Sequence, residues 1–430
     1  MSDGSVPKTG PVLEAPGPGE QVAPRPGFWR RTFAALHYPN YRLWFMGQLV
    51  SLVGTWMQIT AQGFLVFQLT QSTAYLGYVG FAAGLPSWLL MLYGGVIADR
   101  MARRTLLVIT QSTMMVLALI LAGLTFARLV QPWQIVVLAL ALGTANAFDA
   151  PARQAFVLEL VDRKDLTNAI ALNSSMFNLG TVVGPTVAGL TYAAFGPAWC
   201  FALNGASFLA VLAALLLMQL PARTVAPRTH SALAQLKEGV RYTLEHPFLR
   251  ALIAIPGVAA LVGTAYATLL PAWAVDVLGG DATTNGLLQS ARGAGSLIGA
   301  LMLAAIGHAG RRGRWLTIGT FVYPLLLFAF AAARAVPLAI AVLIGVGWGG
   351  MVLFNMANAL VQAHVSDALR GRVMSIYSLT FFGGMPLGAL WAGALAQVIG
   401  APLTVVVSAL VSLGFAVLFW IYVPHVRRLR

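Results

Sequence analysis

Residues 75–127 read YLGYVGFAAGLPSWLLMLYGGVIADRMARRTLLVITQSTMMVLALILAGLTFA, two long apolar runs (75–98 and 105–127) on either side of the basic turn Asp99–Arg104. A run of about 20 apolar residues, coiled as an α-helix, is as long as the hydrocarbon core of a bilayer is thick. Lipid offers no partner for backbone N–H and C=O groups, so each run must satisfy them internally, as a helix does. The stretch is therefore a helical hairpin that crosses the membrane, turns on charge and crosses back.

The same pattern extends in both directions. Further apolar spans fall at 43–69, 132–150, 168–195, 198–219, 249–276, 284–306, 315–333, 337–360, 373–398 and 402–423, which makes twelve. Composition agrees: 58% of the 430 residues are hydrophobic and 9% charged, against roughly a quarter charged in soluble domains. The expected fold is an all-α membrane protein of twelve transmembrane helices in two six-helix, pseudo-symmetric bundles. Residues 1–40 form a Pro/Gly-rich disordered tail and pre-helix segment, 41–219 the first bundle, 220–248 a linker, 249–423 the second bundle and 424–430 a basic tail. In the linker Leu233, Leu236, Val240 and Leu244 recur at helical spacing, the mark of a short amphipathic helix lying on a membrane face.

A net charge of +14 would suggest nucleic acid in a soluble protein, but the basic residues are distributed by topology. With the N-terminus inside, 24 of the 27 lysines and arginines lie in inner segments, only Arg128 and Arg334 lie outside, and Arg292 sits within a span. That asymmetry predicts cytoplasmic termini and a multi-pass protein of the cytoplasmic membrane, with the lipid bilayer and not nucleic acid as its partner. The single Cys200 rules out an internal disulfide and reads as a buried, inert thiol. No phosphate-cradling glycine–lysine loop, zinc-type histidine spacing or nucleophile elbow occurs, so neither nucleotide hydrolysis nor enzyme chemistry is indicated and no cofactor or metal is expected.

Glycines four apart recur in equivalent spans: Gly80 and Gly84, Gly295 and Gly299, Gly180 and Gly184, Gly384 and Gly388. Each pair clears a helix face for close approach, which suggests two halves that slide or rock against each other. Polar and aromatic residues inside spans are the candidates for a substrate cavity: Gln58, Gln62, Asn146, Asn178, Tyr266, Gln289, Arg292, Asn355 and Tyr377. Each could equally serve as interhelical glue. So little charge favours bulky amphipathic solutes over sugars or small ions. Arg292 is the exception; it pairs with Asp276 or Asp281, or it meets an anionic group of the substrate.

Gly95, Ala98, Asp99, Arg100, Arg103 and Arg104 resemble the signature loop of the major facilitator superfamily, with Ala102 where that signature usually has glycine. Residues 147–156 (AFDAPARQAF), followed by Leu160, Val161 and 166–174 (LTNAIALNS), resemble the enterobactin-exporter and macrolide-efflux branch, as do Asn40–Trp44 and Gly54–Gln58. Gly180, Gly184 and Pro185 are similar to a fifth-helix motif of exporters in this superfamily. Membership implies a secondary transporter, driven by a proton gradient, that exports a bulky amphipathic small molecule such as a drug or siderophore by alternating access; a monomer is expected. A solute importer and a non-transporting receptor or scaffold stay as alternatives. Asp99, Arg103 and Asp149 are expected to form a gating latch with Arg100, Arg104, Arg153, Gly184 and Pro185 nearby. Asp149 and Asp276 are the helix-end candidates for the coupling proton.

Overall fold

The computed structural model describes residues 33–219, 232–306 and 312–423. The tail before residue 33, the linker up to residue 231, the turn 307–311 and residues 424–430 lie outside the described residues. Twelve long helices cross the molecule: α1 (Pro39–Thr70), α2 (Thr73–Arg100), α3 (Arg103–Phe126), α4 (Pro132–Leu160), α5 (Leu166–Phe195), α6 (Pro197–Leu217), α7 (starting Pro247–Leu261), α8 (Ala282–Ile306), α9 (Arg312–Ala332), α10 (Val336–His364), α11 (Asp367–Ile399) and α12 (Ala401–Tyr422). Eleven of the spans are long and apolar enough to cross a membrane. The twelfth, α5, is as long but carries Asn173, Ser174, Ser175 and Asn178, and it is shielded by packing between α1 and α8.

The helix ends follow local chemistry. Proline opens α1, α4, α6 and α7, where its missing N–H costs nothing and its fixed φ suits the first turn. Gln131 and Gln134 close a reciprocal capping box at the start of α4. Gly196 and Gly400 take the same place in the two halves, joining α5 to α6 and α11 to α12 with φ of 88° and 84°. Any side chain there would strain the corner.

Packing repeats the symmetry of the halves. Within the first, α2 lies on α4 and α1 on α5 and α6; within the second, α8 lies on α10 and α7 on α11. The halves meet along α2 against α11 and α5 against α8. The glycine pairs do not all serve that meeting, contrary to the sequence reading. Gly80 and Gly84 do face Ala389 and Pro386 of α11, but Gly180 and Gly184 face Trp56 of α1, Gly295 and Gly299 face α10, and Gly384 and Gly388 face α7. Other glycines make the cross-half seams: Gly77 and Gly393 pack together, as do Gly189 and Gly286, while Gly293 meets the Thr181 carbonyl. A Cβ at Gly77 would lie 2.8 Å from the Ala389 carbonyl oxygen, so the backbones are as close as helices in lipid can come.

Both seams run through the half of the molecule far from the linker. At that far end Ser72 donates to the Gln397 amide oxygen at 2.7 Å and Thr73 to the Gly393 carbonyl at 3.0 Å. Thr186 donates to Ser290 at 2.8 Å, which itself donates to the Val182 carbonyl at 2.6 Å. An apolar cluster spanning both halves, including Phe64, Phe67, Tyr192, Ala272 and Ala282, plugs the same end. At the linker end, a helix at Ala232–Glu245 packs on α11. There Gly239 meets the Arg372 backbone, Glu238 pairs with Arg372, and Val240 and Leu244 stay exposed.

Candidate functional site

A cavity of about 550 Å³ lies between the halves, walled by α2 and α4 on one side and by α7 to α11 on the other. α7 shapes it by leaving the α-helical path. After Pro256 it runs through a 3-10 stretch at Gly263–Leu269 and a π turn at Trp273–Val277, irregularities that membrane helices keep where they line a cavity. The 3-10 stretch brings Thr264, Tyr266 and Thr268 to the wall. From α9 comes Tyr323, whose ring fits against Gly263 of α7 and Gly350 of α10 while its backbone lies on Gly349. Neither tyrosine hydroxyl has a protein hydrogen-bond partner among the described residues.

Arg292 of α8 lines this cavity, and no other charged side chain does so among the described residues. Its position is set by backbone contacts on both flanks: Gly293 against Thr181 of α5, and Gly347 of α10 against the Arg292 carbonyl. Neither acid proposed as its partner reaches it. Asp281 instead caps the start of α8, accepting from the Thr284 N–H at 3.0 Å, and Asp276 is exposed on the π turn. The guanidinium forms no salt bridge among the described residues, and its Nε is buried without a partner. A charge held deep in a span at an insertion cost of about 2.5–3.5 kcal/mol, with a donor unspent, is directed at the cavity contents. Aromatic faces complete the wall. Phe354 and Phe381 meet edge to face at 5.0 Å, as do Phe381 and Phe382 at 5.2 Å.

A second cavity of about 780 Å³ opens toward the linker end between α5, α8, α9, α10 and α11, and shares Met351 with the first. It is a polar vestibule, with Asn178, Asn355, Asn358 and Gln362 on its walls and Arg312 and Arg370 at its mouth. The nine candidate cavity residues thus divide. Asn146, Tyr266 and Arg292 line the central cavity, and Asn178 and Asn355 line the vestibule. Gln58, Gln62, Gln289 and Tyr377 line neither. Gln58 accepts from the Asn204 amide at 2.6 Å inside the first half, the glue role open to any polar residue in a span. Tyr377 stands behind the wall and donates to the Phe354 carbonyl at 2.9 Å. Tyr323 and the three phenylalanines went unread because aromatics in spans have many homes; the only signal was the glycine doublet at 349–350.

The expected latch is also arranged differently. Arg103 pairs with Glu159 at 2.8 Å and donates to the Ala155 carbonyl at 2.9 Å, so it joins α3 to the end of α4. Asp149 is buried within the first half, where its Oδ1 accepts from Thr110 at 2.9 Å and Gln111 at 2.8 Å. Arg153, one turn on, lies 3.7 Å from its Oδ2. Nearly three helical turns separate Arg103's partner Glu159 from Asp149, so one cation cannot serve both. Asp99 is half-buried and engaged at the end of α2, Arg100 is exposed, and Arg104 donates to the last turn of α6 through the Leu216 carbonyl at 3.0 Å. Gly184 packs on α1 while the carbonyl of the next residue, Pro185, faces Gly286 of α8. Outside the spans, Tyr38 donates to Asp165 at 2.8 Å and to Asp162 at 3.0 Å, tying the start of α1 to the α4–α5 turn. The Asp165 hydrogen bond, then burial, then Asp162 hold its phenol above the usual range.

Three comparisons bear on this arrangement. The family of transmembrane secretion effectors matches residues 30–429. The enterobactin exporter EntS of Shigella boydii serotype 18 is 28% identical over 393 residues, covering 89% of this chain and 90% of that protein. EntS of Escherichia coli O139:H28 is 27% identical over the same share. Among solved structures, the nucleoside transporter NupG superposes with a TM-score of 0.70 at 14% identity, over 89% of this chain and 98% of that one. A bacterial homologue of the human lysosomal transporter Spinster, inward-facing and unoccupied, gives 0.72 at 13% identity over 89% and 97%.

Proposed function

Because the chain belongs to the transmembrane secretion effector family of major facilitator transporters, we propose that it is a secondary active exporter of bulky amphipathic compounds, drugs or siderophores, driven by the proton gradient. The observation that carries this reading is the central cavity, which has two glycine seams at its far end and, toward the linker end, a vestibule that shares the Met351 wall with it. With the linker end cytoplasmic, as the basic residues argue, this is a loading state: cargo enters from inside and leaves when the seams part. Alternating access then consists of rocking the halves about Arg292 and the aromatic wall.

Asn146, Tyr266 and Arg292 act on the cargo in the cavity, and Asn178 and Asn355 along the way in. Asp149 carries the coupling proton, since it is the one acidic side chain buried among the described residues and Asp276 is exposed. Its Oδ2, which has Arg153 at 3.7 Å but no hydrogen bond, and the unpartnered Gln111 Oε1 give a proton a place to sit and, after the amide turns over, an acceptor for it. Arg153, Arg103, Arg104 and Asp99 work at the linker end, where the gate closes in the outward state. The chain acts as a monomer in the cytoplasmic membrane with both termini inside.

The test is efflux from loaded cells beside uptake into inside-out vesicles energised by respiration. Gradient-dependent uptake into the inverted vesicles, abolished by a protonophore, is expected. Accumulation in intact cells would make the protein an importer and overturn the direction.

A further inference from the structure

We propose that the path from vestibule to cavity is a two-station route for amphipathic anions, with Arg312 as the first station and Arg292 the second, and that Arg292 sets the sign of the charge the carrier accepts. The proposal rests on the central cavity being the transport site.

The chemistry of the walls carries it. In the central cavity the one charged group among the described residues is the Arg292 guanidinium, with its orphaned Nε, and the unspent Tyr266 and Tyr323 hydroxyls can add to it as donors, while the Asn146 and Gln154 amides on the same wall can donate as well as accept. Three donors around one fixed positive charge suit a carboxylate, sulfonate or phenolate oxygen, which accepts and does not donate. The remaining wall, Phe354, Phe381 and Phe382, suits the apolar or aromatic body that carries such a group. No acid lines either cavity among the described residues, so a cationic amphiphile would meet an uncompensated arginine in a place of low dielectric.

The vestibule repeats the sign. Of its two arginines, Arg370 is paired with Asp367 at 2.5 Å, whereas Arg312 has no ion-pair partner among the described residues. Asparagine and glutamine side chains lie around it, and Met351 stands on both walls at the junction. An anion moving inward thus passes from one free arginine to the next, and the second lies beside the aromatic surface that holds the body.

The experiment uses the full chain in proteoliposomes with an imposed proton gradient and three probes sharing one body: N-phenyl-1-naphthylamine, its sulfonate 8-anilino-1-naphthalenesulfonate, and a trimethylammonium derivative. Binding of the sulfonate is followed separately by its fluorescence on purified protein. The sulfonate is expected to move on the order of tenfold or more faster than the cation, the scale of one charge–charge interaction in a partly screened site. Arg292→Gln should collapse the ratio toward one, Arg292→Glu should invert it, and Arg292→Lys should keep its sign. Arg312→Gln should raise the concentration of sulfonate giving half-maximal efflux severalfold. Equal or faster movement of the cation through the wild type would overturn the inference while leaving the exporter reading intact. If no probe moves, export fails but binding decides the inference: sulfonate binding that depends on Arg292 keeps it, and binding indifferent to Arg292→Gln and Arg292→Glu ends it.

Discussion

A carboxylate with 1% exposure inside a membrane bundle is kept only if something holds it, and Asp149 is hydrogen-bonded on one oxygen while the other meets only the Arg153 charge. Thr110 and Gln111 serve Oδ1, and at 3.7 Å Arg153 is too far from Oδ2 for a hydrogen bond. Asp149→Asn keeps the acceptor oxygen and removes the charge, so the variant should reach the membrane normally. Its gradient-driven efflux should fall about tenfold or more, equivalent to about 1.4 kcal/mol of coupling, while exchange of labelled for unlabelled cargo persists. Gradient-driven efflux at the wild-type rate would remove Asp149 from the coupling step. The Arg103–Glu159 pair has a structural part: it is largely buried and supported by a second bond to the Ala155 carbonyl. A double-mutant cycle of Arg103→Gln and Glu159→Gln, read as melting of the detergent-solubilised protein, should give a coupling of roughly 1–2 kcal/mol. That exceeds an exposed pair, and a value near zero would reduce it to a topology signal.

At the level of helices, run length and charge placement made the twelve spans and their order legible, because lipid leaves a long apolar segment one option. What lies on each helix face was less legible. The pair Gly295 and Gly299 tells that α8 is clear on one side, yet only the fold tells that α10 fills it and that the opposing face, with Gly286 and Gly293, meets α5. The break in α7 was likewise hidden: Pro256, Gly263 and Pro271 allow it, but no local pattern forces it. Arg292 could be read because a mid-span charge needs the interior, whereas a polar amide such as Gln58 has as good a place against Asn204 as in a cavity. The seam glycines can be tested directly. At Gly286 a Cβ would run into the Pro185 carbonyl, so Gly286→Leu must push α8 from α5. Reactivity of a Thr186→Cys thiol toward an external maleimide should rise severalfold over that in the Gly286 parent, and efflux should fall. Unchanged reactivity would mean that the seam yields elsewhere.

For the whole molecule, the decisive property is which end is shut. The far end is shut by the two seams, the shared apolar cluster and a cross-half cap, in which the Gln397 amide oxygen receives the Ser72 hydroxyl at 2.7 Å over the first turn of α2. Each hydrogen bond here contributes only about 1 kcal/mol net, so a bound ligand with a few kcal/mol of differential affinity suffices to bias the halves toward parting. If export requires that parting, tying the halves together at this one point must stop it without touching the cavity. The native Cys200 is fully buried, which leaves introduced thiols as the reactive ones. In a chain carrying Ser72→Cys and Gln397→Cys, a short reducible thiol crosslinker should therefore arrest efflux at least tenfold. Reductant should restore it, and each single variant should be indifferent to the reagent. Binding of the naphthalenesulfonate probe, measured from the linker side, should survive the crosslink, because the vestibule and cavity remain open to that side. Full transport by the crosslinked protein would show that the far end does not open at the α2–α11 seam, and loss of binding would show that the cavity is loaded from the other side.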